Sequence, residues 1–136
     1  MLLKQPIIDT IIDDENCYTI KRVFDYETNR LSLIQVLNSR GEIYKVLFYD
    51  ENGRLSGMSI YNPETGREIK GLLYKADGRT ISSVRDYDLE TEKLISVTFY
   101  KADGIGVSSI VEYNDEGTEV QFTLFEEGKK VTTKIF

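Results

Sequence analysis

Apolar and polar residues alternate along this chain in short runs of about seven, each ending on an aromatic or apolar residue just before a turn signal. The closing residues are Ile12, Phe24, Leu37, Tyr49, Tyr61, Tyr74, Tyr87, Tyr100, Tyr113 and Phe125, spaced 12 or 13 apart throughout. Segments such as Ile43 to Tyr49 and Leu94 to Tyr100 have the length of an ordinary strand, and no stretch has helical periodicity. The pattern predicts an all-β protein: an antiparallel meander of about ten short strands, made of 12–13-residue hairpin repeats in a single domain spanning residues 1–136.

The turns come in two kinds. Tyr74-Lys75-Ala76-Asp77-Gly78 returns 26 residues later as Tyr100-Lys101-Ala102-Asp103-Gly104, and between them Tyr61-Asn62-Pro63-Glu64-Thr65-Gly66 is echoed by Tyr87-Asp88-Leu89-Glu90-Thr91-Glu92. Successive turns of a meander fall at opposite ends of the sheet, so alternating turn types predict an Asp-Gly end and a Glu-Thr end. Asp77-Gly78 and Asn52-Gly53 suit a type I turn followed by a left-handed glycine. Tyr49, Tyr74 and Tyr100 would then line one end and Tyr61, Tyr87 and Tyr113 the other.

Strict alternation assigns the faces. Ile95, Val97 and Phe99 fall on one side of their strand, and Tyr44, Val46 and Phe48 on one side of theirs, with further apolar residues on the opposite sides. These half-apolar faces mark Tyr44, Phe48, Ile95, Val97 and Phe99 as candidate partner-binding residues. Ten strands at roughly 4.8 Å spacing span about 45 Å, and a twist of roughly 20–25° per strand accumulates to about half a turn. The sheet is therefore expected to be curled or single-layered and extended, with an apolar face that another molecule covers.

Composition narrows the function. The 9 Tyr and 10 Gly, against 2 Pro and no Trp, match a chain of strands and turns. A net charge of -6 with 17 scattered basic residues disfavours nucleic acid, whose phosphates call for clustered Lys and Arg. The single Cys17 permits no internal disulfide and reads as a small strand residue. No apolar run reaches the length of a membrane span, and Met1 to Pro6 lack the apolar core of a signal peptide. The expectation is a soluble protein of the bacterial cytoplasm or a secreted mature form.

Candidate chemistry is sparse. With no histidine, one cysteine and no phosphate-cradling, zinc or nucleophile-elbow pattern, the chain is expected not to be an enzyme and to carry no cofactor or metal. The acidic groups at Asp13-Asp14-Glu15, Asp50-Glu51, Asp115-Glu116 and Glu126-Glu127 lack calcium-loop spacing and read as solvated turn charges. Lys129, Lys130 and Lys134 read as guards on an edge strand. Stacked tyrosines could hold a glycan, but aromatics at fixed repeat positions also pin hairpin register.

Tyr49-Asp50-Glu51-Asn52-Gly53-Arg54-Leu55 resembles the YD repeat, the Tyr-Asp-x-x-Gly-Arg-Leu hairpin of large bacterial shell-forming toxins. The rhythm from Tyr49 to Gly117 is similar to tandem repeats of phytoplasma and related bacterial proteins, which implies bacterial origin and repeat architecture and carries over no site residues. Similar meanders occur as docking sheets of glycosyltransferases that modify bacterial adhesins. The leading expectation is a non-catalytic protein-protein interaction or scaffold module, binding another protein or a second copy of itself. The alternatives are a carbohydrate-binding or cell-wall-associated module, with a possible glycan ligand, and an immunity or antitoxin-type protein.

Overall fold

A computed structural model describes residues 7–13, 15 and 18–136. Cys17, residues 1–6 and Asp14 of the first acidic group lie outside the described residues. The strands are β1 (Ile7–Asp13), β2 (Tyr18–Phe24), β3 (Leu31–Leu37), β4 (Ile43–Tyr49), β5 (Leu55–Tyr61), β6 (Glu68–Tyr74), β7 (Ile81–Tyr87), β8 (Leu94–Tyr100), β9 (Val107–Tyr113), β10 (Glu119–Glu126) and β11 (Lys129–Ile135). They form one open antiparallel sheet in sequence order, without closure into a barrel. Among the described residues there is no helix, and so none long and apolar enough to cross a membrane.

Among the described residues each strand contacts only its sequence neighbours, and no second layer buries the faces of the sheet. Only Leu37, Val46 and Val84 are buried apolar side chains among the described residues. Order therefore rests on ladder hydrogen bonds, turn chemistry and side chains lying over one another.

The turns are built around a carboxylate or amide that gathers backbone N–H groups. Asn38, Asp50 and Asn114 open five-residue turns, closed by their own N–H to the carbonyls of Glu42, Arg54 and Thr118 at 2.8–2.9 Å. In these a type I turn precedes a left-handed glycine, as expected for Asn52-Gly53. The Asp77-Gly78 and Asp103-Gly104 turns also place a glycine after a type I turn, but they close one residue later, from Lys75 N–H to Thr80 O and Lys101 N–H to Gly106 O. Asp77 and Asp103 supply the difference: each accepts two backbone N–H groups beyond the glycine and holds the extra residue in the turn.

The division into two ends holds only for the central turns. Asp25-Tyr26-Glu27-Thr28 forms a Glu-Thr turn between β2 and β3, on the same end as the Asp-Gly turns, and Asn114 to Thr118 forms a glycine turn at the opposite end. The reason is local: turns of either length close from the N–H of their first residue to the carbonyl just before the next strand, Asp25 to Arg30 and Asn114 to Thr118, so the sheet accepts both at each end.

Turns on one end are stapled to the next turn along. Arg30 donates to Glu51 O, Arg54 to Ala76 O, and Lys75 to Lys101 O at 2.6, 3.1 and 2.9 Å, while Lys93 reaches Asp115 O at 3.0 Å on the other end. The approach is close at Gly104, where a Cβ would lie 2.6 Å from Thr80 Cγ2.

Candidate interaction face

The faces are set by a recurrent β-bulge. From β3 to β10 the second residue of every strand has no cross-strand partner: Ser32, Tyr44, Ser56, Ile69, Ser82, Ile95, Ser108 and Val120. Such an extra residue shares its face with the residue after it, so the count of alternating sides slips by one. Odd strands place serine there and even strands Tyr, Ile or Val.

Following the register gives two distinct faces. One, face 1, carries the cross-strand row Leu33, Phe48, Gly57, Leu73, Ser83, Phe99, Ser109, Leu124 and, beside it, Gln35, Val46, Ser59, Gly71, Arg85, Val97, Val111, Phe122. Face 2 carries Lys45, Ile60, Lys70, Asp86, Ser96 and Glu112 in one row, and Leu47, Met58, Leu72, Val84, Thr98 and Ile110 in the next.

The candidate residues therefore divide. Phe48, Val97 and Phe99 share face 1, with Phe48 and Phe99 in one row. Ile95 lines a groove with Ile60, Ile69, Lys70, Asp86 and Ser96, which places it on face 2. Tyr44 likewise turns away from Phe48 and packs against Tyr18, their ring centroids 5.3 Å apart. The expected grouping of Ile95 with Val97 and Phe99, and of Tyr44 with Phe48, is corrected at the bulge.

The row through Phe48 also supplies Leu73, which the sequence reading missed. Phe48, Leu73 and Phe99 keep 37%, 47% and 41% of their surface exposed, whereas the small residues between them are buried. A Cβ added at Gly57 would lie 3.5 Å from Leu73 Cδ2 and 4.0 Å from Phe48 Cδ2, so the large side chains lean over it. The result is a ridged apolar stripe whose large residues stand two strands apart, or roughly 9.6 Å. Beside it, Leu33, Gln35, Ile43, Val46, Phe48, Tyr61 and Pro63 line a groove of about 640 Å³.

Within β4–β9, face 1 holds just two charged residues, and they neutralise each other. Arg85 donates to Glu68 through Nη2 at 3.0 Å and Nε at 3.3 Å, and Glu68 also accepts from Ser59 Oγ at 2.5 Å and from the Tyr87 hydroxyl. Burial alone would raise the Glu68 carboxyl, but the hydrogen bonds from Arg85, Ser59 and Tyr87 outweigh it and hold the pKa below the usual carboxylate value. Burial and the bond to Glu68 push the Tyr87 phenol up. The guanidinium can lie flat because it crosses Gly71: a Cβ there would sit 2.5 Å from Arg85 Cζ and closer still to Nη2. Face 2 differs, with Lys70 and Asp86 as an exposed pair 3.5 Å apart in one row with Lys45 and Glu112.

The tyrosines serve the strand ends. Tyr61, Tyr87 and Tyr113 close their strands on face 1 at one end, and Tyr49, Tyr74 and Tyr100 close theirs on face 2 at the other, each part-covered. Lys129, Lys130 and Lys134 lie on β11, which is exposed along its length. Among the described residues no three metal-ligating side chains converge.

A family model described as "Protein of unknown function (DUF2963)" matches residues 48–98 and again residues 74–124. The chain belongs to this family. The second match begins 26 residues after the first, the spacing of the two-hairpin unit, and so follows the alternation of serine and large residues at the bulges. No curated protein sequence matches the chain. In fold it is similar to part of an S. aureus TarM mutant crystallised with Fondaparinux, alpha-GlcNAc-glycerol and UDP, with a TM-score of 0.58 and 14% identity over 83% of this chain and 21% of that one. It is also similar to part of the structure of accessory secretory protein 1, 2 and 3 of Streptococcus pneumoniae, with a TM-score of 0.50 and 13% identity over 77% and 18%. The chain thus spans about a fifth of the length of these structures.

Proposed function

We propose that the chain is a non-catalytic interaction module that offers its extended sheet to another protein or to a second copy of itself, with face 1 as the contact surface. The observation that carries this reading is the stripe of Phe48, Leu73 and Phe99: three large apolar side chains, over a third exposed, in one row of a region whose only two charges are paired. Fully burying a side chain of this size contributes about 1.5–3 kcal/mol, and each of these has a substantial part of that still to gain. A face that stayed in water would be expected to carry Lys and Glu here, as face 2 does.

The test is capture of partners from the source cells with the intact chain and with Leu73→Asp/Phe99→Asp. Since both side chains are already part-exposed, the double variant should keep the circular dichroism of the parent and lose the captured protein. Unchanged capture by a folded double variant would refute face 1 as the contact surface.

A further inference from the structure

Resting on that reading, we infer that the occupant of face 1 is a second copy of this chain, packed face to face about a two-fold axis that runs along the strands between β6 and β7. The stripe alternates large and small without exception from β4 to β9: Phe48, Gly57, Leu73, Ser83, Phe99, Ser109. An axis between β6 and β7 sets β4 over β9, β5 over β8 and β6 over β7 of the other copy. Phe48 then meets Ser109, Leu73 meets Ser83 and Phe99 meets Gly57, so that every large residue faces a small one in both directions. An axis lying on β6 would instead stack Leu73 on Leu73 and Phe48 on Phe99. In the neighbouring row the same axis sets Val46 over Val111, Ser59 over Val97, and Gly71 under Arg85.

Charge and area agree with this arrangement. The Glu68–Arg85 pair is satisfied within each sheet and lies flat, so closing the interface strands no unpaired charge. On face 2 the same axis would set Lys45 over Glu112 and Lys70 over Asp86, opposite charges that face 1 does not have to desolvate. Six strands about 4.8 Å apart, each seven residues long at about 3.3 Å per residue, give a patch of about 29 by 23 Å. Two such patches bury on the order of 1,300 Å², within the range of roughly 1,200–2,000 Å² of specific interfaces. Two sheets about 10 Å apart with strands within about 30° would form a sandwich core, which a single layer lacks.

Sedimentation equilibrium of the full chain tests this. The expected mass is twice the 15.6 kDa chain mass. Leu73→Arg, at the centre of the stripe, should raise the dissociation constant about 100-fold or more, since the axis counts the substitution twice; Phe99→Arg should act likewise. Ile95→Arg, equally exposed but on face 2, should leave the dimer intact. A mass of one chain at all concentrations, a dimer that survives both arginine variants in folded form, or a dimer dissolved equally by Ile95→Arg would overturn the inference. If the chain is monomeric and Leu73→Arg abolishes capture of a different protein, the second copy is excluded while face 1 remains the contact surface. If it is monomeric and Leu73→Arg changes no capture, both readings fail.

Discussion

Replacing Gly71 with alanine probes the construction of face 1 with a single methyl group. A Cβ at this position would lie 2.7 Å from Arg85 Nε and 2.5 Å from Cζ, so the guanidinium must leave Glu68. Arg85 then forfeits two charge-assisted hydrogen bonds, each worth about 1.5–3 kcal/mol in a shielded site. With 28% of the Arg85 side chain and 19% of Glu68 still exposed, solvent screening reduces the joint loss to about 1–2 kcal/mol. Alanine in a strand offsets about 0.5–1 kcal/mol of this through lower chain entropy. The net expectation is a destabilisation of about 0.5–1 kcal/mol in urea unfolding at pH 7.

The sign should reverse when there is no guanidinium to displace. In an Arg85→Met background Gly71→Ala should stabilise by a few tenths to about 1 kcal/mol, and the double-mutant cycle isolates the coupling. The effect should also depend on pH. Glu68 has its folded pKa lowered from the ordinary 4.5, so its contribution is complete above that value and is lost as pH falls through the lowered one. Near pH 2 the cost of Gly71→Ala should therefore shrink. An equal cost in both backgrounds and at both pH values would refute the reasoning.

Two further outcomes are expected. Glu92 occupies the left-handed region at φ 59°, where the corresponding residue of the earlier turn is Gly66 at φ 73°; Glu92→Gly should relieve about 1 kcal/mol of backbone strain, less a small loss from the Thr65–Glu92 hydrogen bond, as read by urea or thermal unfolding. Asp77 accepts hydrogen bonds from the Thr80 hydroxyl, Thr80 N–H and Arg79 N–H, which hold its carboxyl at about 2. A carbon NMR titration should find that midpoint, and Thr80→Val should move it toward the ordinary 3.8.

The positions of the strands were open to reading because their closing residues are chemically uniform. Phe24, Leu37, Tyr49, Tyr61, Tyr74, Tyr87, Tyr100 and Tyr113 are the last residues of β2 to β9. The faces were not, because alternation counted back from a strand's end is sound only until the bulge near its start. Ile95 and Tyr44 sit on the far side of that slip. A signal for it existed: serine at 32, 56, 82 and 108, and Tyr44, Ile69, Ile95 and Val120 in the intervening strands, mark one repeated position that behaves unlike its neighbours.

The polar cluster left a fainter trace. Gly71 stands where the flanking even strands have Val46 and Val97, and Arg85 stands where the flanking odd strands have Ser59 and Val111. A residue lost from one strand and gained on the next is a packing exchange, but recognising it requires the register that the bulges obscure. Leu73 was overlooked for the same reason: only the cross-strand row unites it with Phe48 and Phe99.

Hydroxyl-radical footprinting across a concentration series measures whether face 1 is covered in solution. As the chain is concentrated, oxidation of Phe48, Leu73 and Phe99 should fall together while that of Ile95 and Leu89 on the rest of the surface stays constant. Undiminished oxidation of all three at concentrations where the chain is fully associated, or equal protection of Ile95, would contradict the assignment of face 1 as the contact surface between copies.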